Sequence, residues 1–141
     1  TAVLSARHPV TLAIFDLDGF KSVNDNHGHE AGDAVLREVA ARLAAIRIHG
    51  SRAYRMQGDE FAYVYLMDHA GAEIHANAIR AAMGAPVNLP GGLVRCGGSL
   101  GLAQSTPNGT LSDLLRRADE AMYDAKPGTA EGSGLRRRSN R

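Results

Sequence analysis

Tryptophan is absent and cysteine occurs once, as Cys96. A single thiol rules out an internal disulfide, so no covalent staple holds the fold. Cys96 stands in a strand-like stretch and reads as a small buried hydrophobe. Aromatic residues are few, three Phe and four Tyr, and they form no row. A single-strand nucleic-acid platform needs stacking faces along a basic groove, so no nucleic-acid partner is expected. No apolar run approaches the ~18 residues of a membrane-spanning helix, and no signal peptide is visible. These absences fit a cytoplasmic protein whose surface makes no membrane contact. An excess of one charge is also missing, with 16 Lys and Arg against 15 Asp and Glu. Four of the cations, Arg136, Arg137, Arg138 and Arg141, crowd the end of the chain; setting them aside leaves 12 against 15. The body is therefore mildly acidic, and the basic tail reads as solvated.

What is present is one domain's worth of chain, 141 residues and 44% apolar, enough for a real core. Val10 to Asp16 reads as a buried strand. Val35, Leu36, Val39, Leu43 and Ile46 recur at helical spacing, which predicts an amphipathic helix over roughly residues 30–47. Arg52 to Met56 and Phe61 to Leu66 are rich in Tyr, Phe and Val, and the Gln57-Gly58-Asp59-Glu60 turn between them predicts a hairpin. A helix is expected over roughly residues 70–83, ending at Gly84 and Pro86. Pro90-Gly91-Gly92 predicts a second hairpin whose return strand runs from Leu93 to about Ala103. Leu111, Leu114, Leu115, Ala118 and Met122 predict a last amphipathic helix, with Thr110 as its N-cap and Asp113 completing a capping-box-like pattern. The order β-α-α-β-β-α-β-β-α implies an α+β fold: a mixed, mainly antiparallel central sheet flanked by helices, on a ferredoxin-like or nucleotidyl-cyclase palm plan.

Two acidic clusters carry the chemistry. The first is Asp16-Leu17-Asp18, where an apolar run ends abruptly in carboxylates. The second is Asp59-Glu60, in the turn of the first hairpin. If their strands are neighbours, four carboxylates meet at one sheet edge. Hard oxygen donors gathered this way suit a divalent cation such as Mg²⁺ together with a phosphate ester. Asp16 is expected to be the metal ligand, with the Leu17 carbonyl as a second. Asp18 is expected on the opposite face, as a cap for the following helix. One of Asp59 and Glu60 would share the metal; the other would hold a second ion or help deprotonate a hydroxyl. Gly58 allows close backbone approach to a phosphate, and Lys21 and Lys126 supply positive charge. A carboxylate can accept both N1–H and N2–H₂ of a guanine, so Asp33 with Asn24 makes a sensible guanine reader. His27 and His29 lack a third ligand nearby and read as structural or surface residues.

Four blocks together resemble the GGDEF family of diguanylate cyclases. They are Asp16 to Asp25 followed by Gly28-His29, Gly32-Asp33 and Leu36; Arg55 to Phe61; Ser99 to Ala103; and Ala118 to Lys126. They stand in family order and spacing over roughly residues 8–127. The resemblance implies condensation of two GTP molecules into cyclic di-GMP with Mg²⁺ (or Mn²⁺). It implies Asp16, the Leu17 carbonyl and Asp59 on the metal, and Glu60 on a second metal or activating the 3′-hydroxyl. It implies Asn24 and Asp33 on guanine with Phe20 lining that pocket, and Lys21, Lys126 and the Gly58 turn on the phosphates. Each domain would hold one GTP, so a homodimer is implied for catalysis.

The chain also departs from the family pattern. Gln57 replaces the first motif glycine. Ile48, His49, Gly50 and Ser51 stand where an Arg-x-x-Asp product-inhibition site is common, so feedback binding there is not expected. Ala130 stands where a phosphate-binding Arg is common, and the leading Leu-Thr-Gly-Leu segment is missing before Val10. Residues 1–127 therefore read as a GGDEF domain cut from a longer protein, followed by a flexible basic tail over 128–141. A second reading follows from Gln57 and the missing tail arginine: a GTP-binding regulatory domain with weak or no turnover that controls an attached domain.

Overall fold

The computed structural model describes residues 8–46, 48, 51–56 and 60–126. The apolar run after Val10 becomes β1 (Thr11–Leu17), with six of its seven residues buried. A strand achieves that only with cover on both faces. Two helices follow, α1 (Phe20–His27) and α2 (His29–Ala45). Gly28 divides them at φ 90°, a backbone state that glycine takes without strain.

The first hairpin forms as the Tyr- and Val-rich runs predict. Its strands are β2 (Arg52–Arg55) and β3 (Glu60–Tyr65), with Arg52 opposite Val64 and Arg55 opposite Phe61. Next comes α3 (His69–Gly84), whose N-cap Asp68 accepts a hydrogen bond from the Gly71 N–H at 2.9 Å. At the other end of α3, Arg42 of α2 donates to the carbonyls of Ala82, Ala85 and Pro86 at 2.8, 2.9 and 2.6 Å. Those bonds satisfy carbonyls that a helix C-terminus leaves open, and they tie α2 to α3.

The return strand expected from Leu93 to Ala103 is in fact two strands in two sheets. β4 (Val87–Leu89) and β5 (Gly92–Val94) pair only with each other. The chain then passes through Gly97 at φ 73° and enters the main sheet as β6 (Gly98–Gln104). One left-handed glycine redirects the strand, and a continuous strand-like composition hides the break. Cys96 consequently lies in this link, half-buried against the core rather than within a strand. Finally α4 (Leu111–Asp124) opens at Thr110, whose Oγ1 accepts from the Asp113 N–H at 3.2 Å, as its capping pattern predicts.

The fold is α+β, and every pairing in the four-stranded sheet, order β2-β3-β1-β6, is antiparallel. On one face Ala13, Phe15 and Leu17 pack with Val35, Val39 and Leu43 of α2 and Ala76, Ile79 and Met83 of α3. On the other, Leu12 and Ile14 pack with Leu114, Ala118 and Met122 of α4. Residues of β1 thus alternate between two cores, and this parity fixes where the acidic end of the strand points.

Tyr65 is fully buried in the larger core, and its hydroxyl finds no hydrogen-bond partner among the described residues. Burial also pushes its pKa well above the usual tyrosine value. An orphaned buried hydroxyl costs more than it contributes. Tyr65→Phe is therefore expected to raise stability by about 1 kcal/mol, read as a higher urea midpoint at unchanged slope. A fall of similar size would mean that the hydroxyl has a partner.

Candidate functional site

Asp16 shares its parity with Leu12 and Ile14, so it belongs to the α4 face at the end of the central strand. Asp18 has the same parity. Expecting the two on opposite faces is corrected here, because residues two apart on an extended chain point the same way. Both carboxylates meet one ammonium. Lys126, just beyond α4, places Nζ 2.7 Å from Asp16 Oδ1 and 3.3 Å from Asp18 Oδ1. The side chains of Asp16, Asp18 and Lys126 are 15%, 24% and 24% exposed, so the cluster is partly desolvated and stronger than a typical surface ion pair. Burial alone would pull the Lys126 pKa down. The hydrogen bond and charge of Asp16, with those of Asp18, outweigh it and hold the ammonium above its usual value. Lys126 is accordingly a fixed positive charge at any physiological pH.

Asp18 does not cap α1. The N-cap is Gly19, and no side-chain cap bond is made there. Instead Ser99 Oγ donates to Asp18, at 2.9 Å from each carboxylate oxygen. In register, Asp16 lies between Glu60 of β3 and Ser99 of β6, while Leu17 faces Gly98. A Cβ at Gly98 would stand 2.8 Å from the Asp16 carbonyl oxygen, so glycine permits the close approach of β6 to the acidic end of β1. Gln57, Gly58 and Asp59 lie outside the described residues. Among the described residues no three His, Cys, Asp or Glu side chains come together closely enough to hold an ion unaided.

A second group assembles at the α1–α2 elbow. Asn24 is half-buried and lies directly over Gly32, the residue before Asp33. A Cβ at Gly32 would overlap the Asn24 amide oxygen and stand 3.2 Å from Phe20 Cζ. The elbow thereby gathers Phe20, Asn24 and the start of α2. Asp33 is exposed on α2, and Lys21 is exposed on the first turn of α1. His27 and His29 are exposed. A depression of about 490 Å³ lies elsewhere, between the end of α2 and β2, and no carboxylate among the described residues lines it. Ile48 and Ser51 are on its wall.

The acidic end of β1 fits a divalent cation by two observations. Its donors are hard oxygens, which Mg²⁺ prefers. It already holds a cation, the Lys126 ammonium, against Asp16 and Asp18. Asp16 and Glu60 stand opposite each other on adjacent antiparallel strands, with Leu17 next along β1.

The roles of three residues differ from, or are missing in, a reading of the sequence alone. Ser99 is visible there only as part of a motif, and its link to Asp18 spans 81 positions. Gly32 carries no sign that a side chain lies on it. Asp18 is legible in principle, since its spacing of two from Asp16 places both on one side.

An antiparallel sheet with helices on both faces and an inner strand that ends in carboxylates is an α+β architecture. The domain described as "Diguanylate cyclase, GGDEF domain" matches residues 1–131. The chain belongs to the GGDEF family. It is 36% identical over 129 residues to diguanylate cyclase DgcN of Escherichia coli, covering 89% of this chain and 32% of that protein. A sensory box/GGDEF family protein from Caulobacter crescentus superposes with TM-score 0.78 at 37% identity, over 85% of this chain and 80% of that one. The GGDEF domain of DgcB from Caulobacter crescentus, solved in complex with c-di-GMP, superposes with TM-score 0.80 at 28% identity, over 86% and 74%. The chain thus spans about a third of its Escherichia coli relative. No helix among the described residues is long and apolar enough to cross a membrane.

Proposed function

We propose that this domain is a diguanylate cyclase, joining two GTP into cyclic di-GMP and releasing two pyrophosphates. The observation that carries the reading is the Asp16–Lys126–Asp18 cluster at the end of β1, in a chain of this family. Asp16, the Leu17 carbonyl, Asp59 and Glu60 would hold Mg²⁺ (or Mn²⁺). When bound, the ion supplies charge neutralisation at the phosphate oxygens and makes a nearby hydroxyl easier to deprotonate. Glu60, opposite Asp16 across the sheet, takes the proton of the attacking 3′-hydroxyl or serves a second ion. That 3′-oxygen forms a bond to the α-phosphorus of the other GTP, and the bond to pyrophosphate breaks. Lys126 and Lys21 hold the β- and γ-phosphates, and the turn at Gly58 wraps them. Asn24 and Asp33 read the guanine edge, with Phe20 against the base. Each domain presents one GTP, so two copies must face each other, and catalysis is chiefly positioning and charge neutralisation. We place the reaction in the cytoplasm, as a domain of a longer protein. The silent-binder reading rests on Gln57 and on Ala130 in place of the common arginine, and both lie outside the described residues.

Product analysis with labelled GTP and Mg²⁺, on two copies of the domain tethered as a dimer, tests this. Cyclic di-GMP and pyrophosphate in a 1:2 ratio are expected. Tight GTP binding without product would favour the regulatory reading, and no binding would remove both.

The elbow yields a sharper expectation. Gly32→Ala adds a methyl group where the Asn24 amide now lies, and that side chain is free to swing aside. Alanine is also the better helix former, by up to about 1 kcal/mol. The variant should fold with near-unchanged melting yet bind GTP and GMP about tenfold more weakly, since both carry the base. Unchanged affinity in a folded variant would remove Asn24 from base recognition.

A further inference from the structure

We infer that Ser99 and Asp18 form a positioning pair for Lys126, which keeps the ammonium aimed at the phosphates when Asp16 is given over to the metal. The inference rests on the triphosphate reading above. A lysine ends a flexible four-carbon stem and is poorly aimed by itself. Among the described residues Lys126 meets Asp16 at 2.7 Å and Asp18 at 3.3 Å. The nearer is the carboxylate that a divalent ion would claim, and Asp18 stays available as an anchor in the loaded site. Asp18 is suited to that task because its own orientation does not depend on the lysine. Its backbone N–H donates to the Gly97 carbonyl at 3.1 Å, and both carboxylate oxygens lie 2.9 Å from Ser99 Oγ. Ser99 is 3% exposed and sits on β6 opposite Asp16, so its hydroxyl is fixed by the sheet. A hydroxyl carries one proton, which the two oxygens share, so the carboxylate is held broadside to Ser99. The sheet thereby positions a lysine that lies beyond the last helix, 27 residues further along the chain.

The test compares GTP with GMP by calorimetry in Mg²⁺, for the unaltered chain and for Lys126→Ala, Ser99→Ala, Asp18→Asn and the Ser99→Ala/Lys126→Ala double variant. GMP keeps the base and ribose and lacks the β- and γ-phosphates. Lys126→Ala should cut the preference for GTP over GMP about tenfold. Ser99→Ala and Asp18→Asn should each cut it about threefold to tenfold, with GMP affinity unchanged within about twofold. The double variant should lose no more than Lys126→Ala alone, because the pair acts through the lysine. Equal loss for both nucleotides, or additive losses in the double variant, would overturn the inference. So would a preference that falls in Lys126→Ala and stays whole in Ser99→Ala and Asp18→Asn, and that result would leave the triphosphate reading standing. No effect of Lys126→Ala itself would bring down that reading and this inference with it. Should Ser99→Ala fail to fold, Asp18→Asn, near-isosteric with the native residue, decides the matter.

Discussion

Gly101→Val is expected to leave this domain largely unfolded, and even Gly101→Ala should lower its melting temperature by about 10 °C or more. Gly101 lies on β6 under α4, opposite Ile14. A Cβ there would overlap the Met122 backbone nitrogen and the Ala121 carbonyl carbon, and stand 2.6 Å from the Ala118 carbonyl oxygen. All three obstacles are backbone, so no change of side-chain rotamer relieves them; α4 itself must move. That helix also buries Leu114, Ala118 and Met122 against β1, so lifting it opens the smaller core. Overpacking of this kind costs about 3 kcal/mol or more, a large part of the roughly 5–15 kcal/mol that holds a typical domain. Gly84→Ala is the control, because nothing lies within 4 Å of the added methyl and its φ is not left-handed. It should be neutral or slightly stabilising. Thermal melts of the three variants decide the point. A Gly101→Ala protein that melts with the native one would mean that α4 does not press on β6 as described.

Asp16→Asn is expected to abolish cyclic di-GMP production, by about 100-fold or more, while leaving the fold intact. Asparagine keeps the shape and one carbonyl oxygen, and it removes the negative charge that attracts a divalent ion. The fold does not need that charge: Asp16 is the one residue of β1 that is only half-buried, and Lys126 still has Asp18. The defect should show chiefly as a raised Mg²⁺ requirement, visible as a rightward shift of the metal titration at saturating GTP. Native metal dependence in this variant would exclude Asp16 as a ligand. A parallel loss of thermal stability would instead assign the carboxylate a structural task.

The central strand, the long second helix, the first hairpin and the capped last helix are legible in the sequence, because each has a local cause. β1 is an uninterrupted apolar run, α2 repeats its apolar residues at helical spacing, and Thr110 stands three residues before Asp113. The break between β5 and β6 is not legible, because it depends on one left-handed glycine, Gly97, inside a strand-like run. The site is legible by type and only partly by place. Asp16 and Lys126 both stand out by their chemistry, yet their contact spans 110 positions and follows from the packing of α4 on β1 and β6. Ser99 stands in a motif block, and nothing local marks its task. A serine in a strand is ordinary until the register sets it across from Asp16 and within reach of Asp18. Asp59 is marked by its chemistry alone, and its place lies outside the described residues.

The most direct measurement is a crystal structure with Mn²⁺ and a non-hydrolysable GTP analogue, with the ion located by its anomalous signal. A peak is expected about 2.1 Å from a carboxylate oxygen of Asp16, shared with Asp59, with Lys126 on the phosphates. A peak that touches neither carboxylate, or carboxylates of 16 and 59 set too far apart to share an ion, would contradict the metal-site reading.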